Sequence, residues 1–150
     1  MPQLLEDLVT YRLMKLADTM RRASTQAYGA RFGVSNAELR LLAVISAHQP
    51  LSANEISRRT GLDKGWVSRS LSSLLKRALV RRAPHPQDSR AMLVSLTRAG
   101  KSLVKRMTPF ALARQALLME GLSRKDVDLL LTAVQQRLEA MLATPEPEVA

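Results

Sequence analysis

Apolar residues recur every three or four positions along most of this chain, and short polar breaks divide that pattern into helices. Leu5, Leu8, Val9, Leu13, Leu16, Ala17 and Met20 keep helical spacing, with no Gly or Pro between Gln3 and Tyr28. The spacing predicts one long helix from residue 4 to about residue 30, ended by Gly29 and Gly33. Apolar positions lie on more than one side near its start, so a partner subunit has a face to cover. Ser35 followed by Glu38 is a capping box that opens a second helix through Leu39, Leu42, Ala43 and Ile45. His48-Gln49-Pro50 closes it, because proline has no N–H and restricts the residue before it. Ser52 and Glu55 repeat the capping box and open a short helix to about Thr60. Gly61 breaks that helix, and Asp63 caps another from Lys64 to about Ala78. Two short helices about a glycine turn form a helix-turn-helix pattern. Ile56, Leu62, Val67, Leu71, Leu74 and Leu75 are spaced to share its small core.

The period then changes. Leu79-Val80-Arg81-Arg82 suits a strand, Ala83 to Ser89 is rich in turn formers, and Met92, Val94 and Leu96 alternate. This predicts a hairpin directly after the second helix of the pattern, a wing. Pro84 and Pro86 suit its edge or loop. Thr97 caps a long helix to about Glu120, with Pro109 expected to bend it or remove one hydrogen bond. Gly121 ends it. Ser123 opens a last helix carrying Val127, Leu130, Leu131, Val134, Leu138, Met141 and Leu142. The tail from Thr144, with Pro145 and Pro147, is expected to fray. The fold class expected is mainly α with a small β-hairpin wing.

Charge sharpens this picture. Thirteen of the 23 Lys and Arg fall between Leu51 and Arg106, against three acids, Glu55, Asp63 and Asp88. The remaining ten bases and ten acids balance, so the whole net charge of +10 sits in that block. A basic block between neutral flanks points to a polyanion, and first to nucleic acid. Aromatic residues are only 3% of the chain, too few for single-strand stacking platforms, so duplex DNA read by a helix fits better. With no cysteine, disulfides, Cys-bound zinc and thiol redox sensing are excluded within this chain. The start MPQLLEDLVTYR carries acids where a signal peptide has bases, and no apolar run approaches a membrane span. A soluble, cytoplasmic protein that does not contact membrane is expected.

Projected around the helix that opens at Lys64, Val67, Leu71, Leu74 and Ala78 face inward. Gly65, Arg69, Ser72, Ser73 and Lys76 face outward, with Ser68 and Trp66 on the flanks. Lys64, Gly65, Trp66, Ser68, Arg69, Ser72 and Ser73 are therefore candidates for base or groove contact. Gly65 lets the backbone approach DNA, and Arg69 suits the O6/N7 edge of guanine. Ser52, Arg58, Arg59, Lys76, Arg81 and Arg82 are candidate phosphate contacts. The competing reading is a solvated helix face. Trp66 is expected to pack partly in the small core, with a thymine methyl or an effector as the alternative contacts. Asp88, the odd acid of a basic loop, is expected to orient Arg90 or another base; an ordinary surface ion pair is the other reading. His48 and His85 are isolated and lack metal-ligand spacing. No nucleophile–base pair, metal cluster or glycine-rich phosphate loop is present, which argues against an enzyme. No cofactor or metal is expected.

Asp88-Ser89-Arg90, followed by Val94-Ser95-Leu96-Thr97-Arg98-Ala99-Gly100, resembles the wing signature and helix junction of the MarR family of winged-helix transcriptional regulators. Leu62 to Arg69 is similar to the start of that family's recognition helix, and Gly121-Leu122-Ser123 to its last turn. The resemblance runs from Leu4 to Leu142. It implies a winged helix-turn-helix at residues 35–100, inserted between dimerisation helices at 1–34 and 101–150. It also implies a homodimer that reads a palindromic operator, with Arg90 entering the minor groove. Leu5, Leu8, Leu13, Val127, Leu131, Val134, Leu138 and Met141 are the interface residues it suggests. By the same analogy, Tyr11, Met14, Lys15, Arg40, Met107, Phe110 and Arg114 line a cleft for a small effector, an aromatic or carboxylate-bearing molecule that releases DNA. The family usually has glycine where this chain has Ala78, so the recognition helix is expected to end with different geometry. Trp66 departs from the small or polar residue usual there. The expected function is a sequence-specific repressor. A ligand-independent architectural protein with little sequence preference is the alternative.

Overall fold

A computed structural model describes residues 5–144, apart from the side chains of Ser89 and Arg90. The expectation for the tail beyond Thr144 lies outside the described residues. The chain divides into two compact units, residues 1–108 and 109–150.

In the first unit a short 3-10 turn, Leu5–Asp7, precedes α1 (Val9–Phe32). The long helix thus starts later than its apolar spacing suggests. Gly33 ends it in the left-handed conformation, φ 62°, with its N–H on the Gly29 carbonyl. α2 (Asn36–His48) comes next, then the two-residue strand β1 (Leu51–Ser52), α3 (Ala53–Thr60) and α4 (Lys64–Lys76). Both capping boxes form. The Ser35 and Ser52 hydroxyls accept from the N–H of Glu38 and Glu55, and each glutamate accepts from its serine's N–H. Leu41, Leu42 and Ile45 of α2, Ile56 of α3, and Val67, Leu71 and Leu74 of α4 are fully buried together, which makes α2 the centre of the core.

The wing is β2 (Val80–His85) and β3 (Asp88–Leu96), in a sheet ordered β1-β3-β2, all antiparallel. β1 pairs Leu51 with Val94, an addition that two residues cannot announce by periodicity. The strands also run further than expected. Ala83, Pro84 and His85 belong to β2, and only Pro86 and Gln87 turn. Pro84 is tolerated opposite Met92 because β2 is the edge of the sheet, where a missing donor on the outer side costs nothing.

The end of α4 departs from expectation in the other direction. Ala78 does take the left-handed conformation, φ 53°, that glycine adopts most readily. It is exposed, where the helical projection puts it inward. The Ala78 N–H donates to the Leu75 carbonyl and the Leu79 N–H to the Leu74 carbonyl, a complete Schellman closure. Leu74 and Leu79 are both buried beneath it. Tertiary closure therefore holds an alanine where its Cβ is strained. The Thr97 hydroxyl donates to the Ala78 carbonyl at 2.7 Å and accepts from the Gly100 N–H at 3.1 Å, which caps α5 (Arg98–Leu118) against this turn. A Cβ on Gly100 would collide with the Leu79 carbonyl oxygen.

α5 continues through Pro109, which has no N–H to give the Lys105 carbonyl. It ends at Leu118, short of the expected Glu120. In the second unit, α6 (Arg124–Ala143) starts at Ser123, whose hydroxyl accepts from the Asp126 N–H. No described helix is long and apolar enough to cross a membrane.

These contacts set opposite expectations for two small substitutions. Gly100→Ala should destabilise the protein by about 1–3 kcal/mol, because the obstacle is backbone. Ala78→Gly should stabilise it by about 1 kcal/mol by relieving the left-handed strain. Urea unfolding at one fixed protein concentration measures both; a less stable Ala78→Gly would overturn the strain argument.

Candidate nucleic-acid interface

The turn between α3 and α4 is closed from several sides. Gly61 is left-handed at φ 66°, and its N–H reaches the Ser57 carbonyl. The Ser57 hydroxyl donates to the Leu62 carbonyl, and the Thr60 hydroxyl to the Ile56 carbonyl, each at 2.7 Å. Arg40, from α2, donates to the Thr60 carbonyl. Asp63 caps α4 by accepting from the Trp66 N–H at 2.9 Å.

With Val67, Ser70, Leu71 and Leu74 buried, α4 turns its opposite face to solvent. Lys64, Gly65, Ser68, Arg69, Ser72 and Lys76 are exposed there. Ser68, Arg69, Ser72, Ser73, Lys76 and Arg77 line a shallow groove of about 540 Å³. Ser73 differs from expectation. Its hydroxyl is turned to Glu38, so it orients the helix rather than facing outward freely. Trp66, expected to be partly packed, is 52% exposed, and its ring centroid lies 4.6 Å from the Arg69 guanidinium carbon.

Glu38 holds this face in place. It is only 6% exposed. One carboxylate oxygen accepts from the Ser35 N–H at 2.9 Å. The other accepts from the Ser73 hydroxyl at 2.6 Å and from Arg77 at 3.4 Å. Arg77 also donates to the Gly33 carbonyl at 3.0 Å. Burial pushes the Glu38 carboxyl up, but hydrogen bonds from Ser73 and Ser35 and the Arg77 charge outweigh it and hold the group below its ordinary value. The sequence marks Glu38 as a cap and Arg77 only as one of many bases. Nothing local signals that they meet across 39 positions.

The expected phosphate contacts fall in two places. Ser52 and Arg82 share a hollow of about 410 Å³ with Asn54, Asp88 and Met92. Asn54 is an addition to the expected set. Arg81 is adjacent to Arg82 in a strand and so points to the other face of the sheet. Arg58 and Arg59 are exposed in the last turn of α3. The Arg90 backbone lies in β3, and its expected contact falls outside the described side chains. Among the described residues no His, Cys, Asp and Glu cluster could hold a metal ion.

The expected effector residues are not gathered within either unit. Tyr11, Met14 and Lys15 are exposed on α1, and Met107 is buried in the first unit's core. Phe110 and Arg114 belong to the second unit, with the Arg114 guanidinium carbon 5.8 Å from the Phe110 ring centroid. Arg40 does line a cavity, of about 430 Å³, with Arg21, Thr25, Asn36, Leu62 and Trp66. Arg21 and Asn36 carry no local signal for this role, because solvated polar helix positions look alike in sequence.

A helical core with an exposed second helix, followed by an antiparallel wing, defines a winged helix-turn-helix protein. Residues 32–91 match the MarR family. The chain is 28% identical over 109 residues to an HTH-type transcriptional regulator of Bacillus cereus, spanning 73% of this chain and 71% of the relative. It is 32% identical over 82 residues to the HTH-type transcriptional repressor NicR of Pseudomonas putida, spanning 55% and 52%. A MarR/EmrR family transcriptional regulator from Acinetobacter sp. ADP1 shares its fold with a TM-score of 0.81 at 27% identity, over 90% of this chain and 95% of the other. MepR of S. aureus, in a complex with DNA, shares the fold at 0.79 and 23% identity, over 89% and 98%. The chain thus resembles MarR-family transcriptional regulators in sequence and shares their fold.

Glu38→Gln should cost about 1–3 kcal/mol at neutral pH, since buried groups lose a charged partner. Folding lowers this carboxyl below its ordinary 4.5, so its contribution is present above that value and is lost as pH falls through the folded-state value. The gap between wild type and variant should therefore close on acidification in urea unfolding series. A gap that is constant with pH would show that the Glu38 charge does not matter.

Proposed function

We propose that this chain is a homodimeric transcriptional repressor whose α4 reads a palindromic operator and whose DNA binding a small ligand relieves. The observation that carries this reading is the outer face of α4, where Ser68, Arg69, Ser72 and Lys76 line one solvent-facing groove opposite a fully buried apolar face. Lys64, Ser68, Arg69 and Ser72 meet bases in the major groove, Gly65 lets the backbone come close there, and Arg90 of the wing meets the minor groove. Ser52, Arg58, Arg59, Lys76 and Arg82 meet phosphate. Arg81, on the other face of the wing, meets the flanking backbone. Ser73 acts through Glu38, by fixing the helix. Asp88 holds the wing bases in position. Repression is the role named for the similar NicR, and such a regulator works where the chromosome is, in the cytoplasm.

Dimerisation is supported by unburied apolar surface. α6 buries no residue, and Leu131, Leu138 and Met141 are exposed along it while Val127 and Val134 are half-buried. Leu5 is 80% exposed and Leu8 is exposed before α1, with Leu13 half-buried within it. For the ligand, the cavity beside Trp66 has a size suited to a small molecule. Two arginines and an indole suit an aromatic carboxylate.

Selection from a random duplex pool at ~150 mM salt tests the reading; recovery of a palindrome with half-sites about one helical turn apart supports it. Recovery with no sequence preference would favour an architectural protein. On the selected duplex, Arg69→Ala should cost about 1–3 kcal/mol at one base position, while Lys76→Ala should weaken all duplexes alike and lower the salt slope by about one. Sedimentation should give a dimer that the Leu131→Asp, Leu138→Asp double variant dissociates. Aromatic carboxylates should release the selected duplex from wild type and not from Arg21→Ala; monomeric wild type, or release unaffected by Arg21, would remove those two parts of the proposal.

A further inference from the structure

Arg69 has a seat on its own helix. Its guanidinium carbon stands 4.6 Å from the centroid of the Trp66 ring. One turn earlier, Gly65 leaves open the space beneath it: a Cβ there would lie 3.3 Å from Arg69 Nη1 and 3.1 Å from Asp63 Oδ1. Asp63 is held in turn, because its Oδ1 accepts from the Trp66 N–H at 2.9 Å. The guanidinium thus rests over bare backbone at the start of α4, with an indole face against it and a carboxylate nearby. The indole is half-exposed, so the core does not require it. Arginine loses much rotamer freedom when it docks, and a partner that fixes it beforehand lowers that loss.

We propose that Trp66 and Gly65 are specificity-determining positioning residues, which pre-order the Arg69 guanidinium for the base it reads. The inference rests on the reading above, in which Arg69 contacts a base. It gives Gly65 a role that backbone approach to DNA does not: the missing side chain is the floor of the seat. It also explains an exposed tryptophan at the start of a reading helix, since its flat face suits a planar cation.

The test is discrimination between the duplex selected by wild type and the same duplex altered at the base pair where Arg69→Ala loses preference. Trp66→Ala and Gly65→Ala should each lower that discrimination about two- to fivefold. Trp66→Phe should retain part of it. The Trp66→Ala, Arg69→Ala double variant should lose no more than Arg69→Ala alone, because the indole acts through the guanidinium. The chain has one tryptophan, so its fluorescence gives a second readout without DNA. Arg69→Ala should expose the covered indole face and raise quenching by acrylamide, a neutral quencher that the lost positive charge does not repel or attract. If Arg69→Ala leaves discrimination intact, base reading by Arg69 fails and this inference with it. If Arg69→Ala relaxes discrimination while Trp66→Ala and Gly65→Ala do not, or their effects simply add, the seat alone is refuted. Acrylamide quenching unchanged in Arg69→Ala would refute it equally. Thermal melting of each variant separates these outcomes from loss of fold, and Trp66→Phe keeps the comparison intact should Trp66→Ala unfold.

Discussion

Glu38 caps one helix with one carboxylate oxygen and ties down another with the second. The first link fixes the start of α2, the helix around which the small core is built. The second reaches Ser73 and Arg77 near the end of α4, and Arg77 extends the tie to the carbonyl of Gly33. Apolar packing of Val67, Leu71 and Leu74 brings α4 against α2, but a greasy stripe alone tolerates sliding and rotation. Directional hydrogen bonds to a buried charge do not, because each misalignment leaves that charge undersolvated. The groove face of α4 is aimed from behind.

A second set of polar contacts fixes the chain beyond α4. The Schellman closure turns the backbone at Ala78, and the Thr97 hydroxyl joins that turn to the first turn of α5. Gly100 lets α5 approach the Leu79 carbonyl more closely than any other residue would allow. The wing strands run between these two joined points, so the base of the hairpin is held at both ends.

The sequence showed most clearly those features whose causes are local. Both capping boxes, the glycine ends at Gly33 and Gly61, and the Asp63 cap form as the short spacings predict. The core positions of α4 follow from helical period, apart from Ala78, which lies beyond the last turn. Features that depend on distant partners were not legible. β1 exists because Leu51 meets Val94, and β2 extends through Pro84 because nothing pairs on its outer side. Ala78 adopts a strained conformation because Leu79 is buried beyond it. Size and apolarity favour the core for Trp66, yet its neighbour is the Arg69 guanidinium. The candidate site divides in the same way. The outward stripe of α4 was readable, whereas the commitment of Ser73 to Glu38, and the place of Arg21 and Arg40 on the wall of one cavity, come from tertiary placement.

Arg40 stands in two places at once. It donates to the last carbonyl of α3, and it forms part of the wall of the cavity beside Trp66. A guanidinium has five N–H donors, so an anion in that cavity would sit on a side chain whose position the helix-turn-helix turn has already set. Free energy passing between such a molecule and the turn is equal in both directions. Whatever factor the small molecule takes from the affinity for DNA, bound DNA takes from the affinity for the small molecule. The operator would then act as an antagonist of its own release, and the concentration needed to clear a site would rise with how well that site is read.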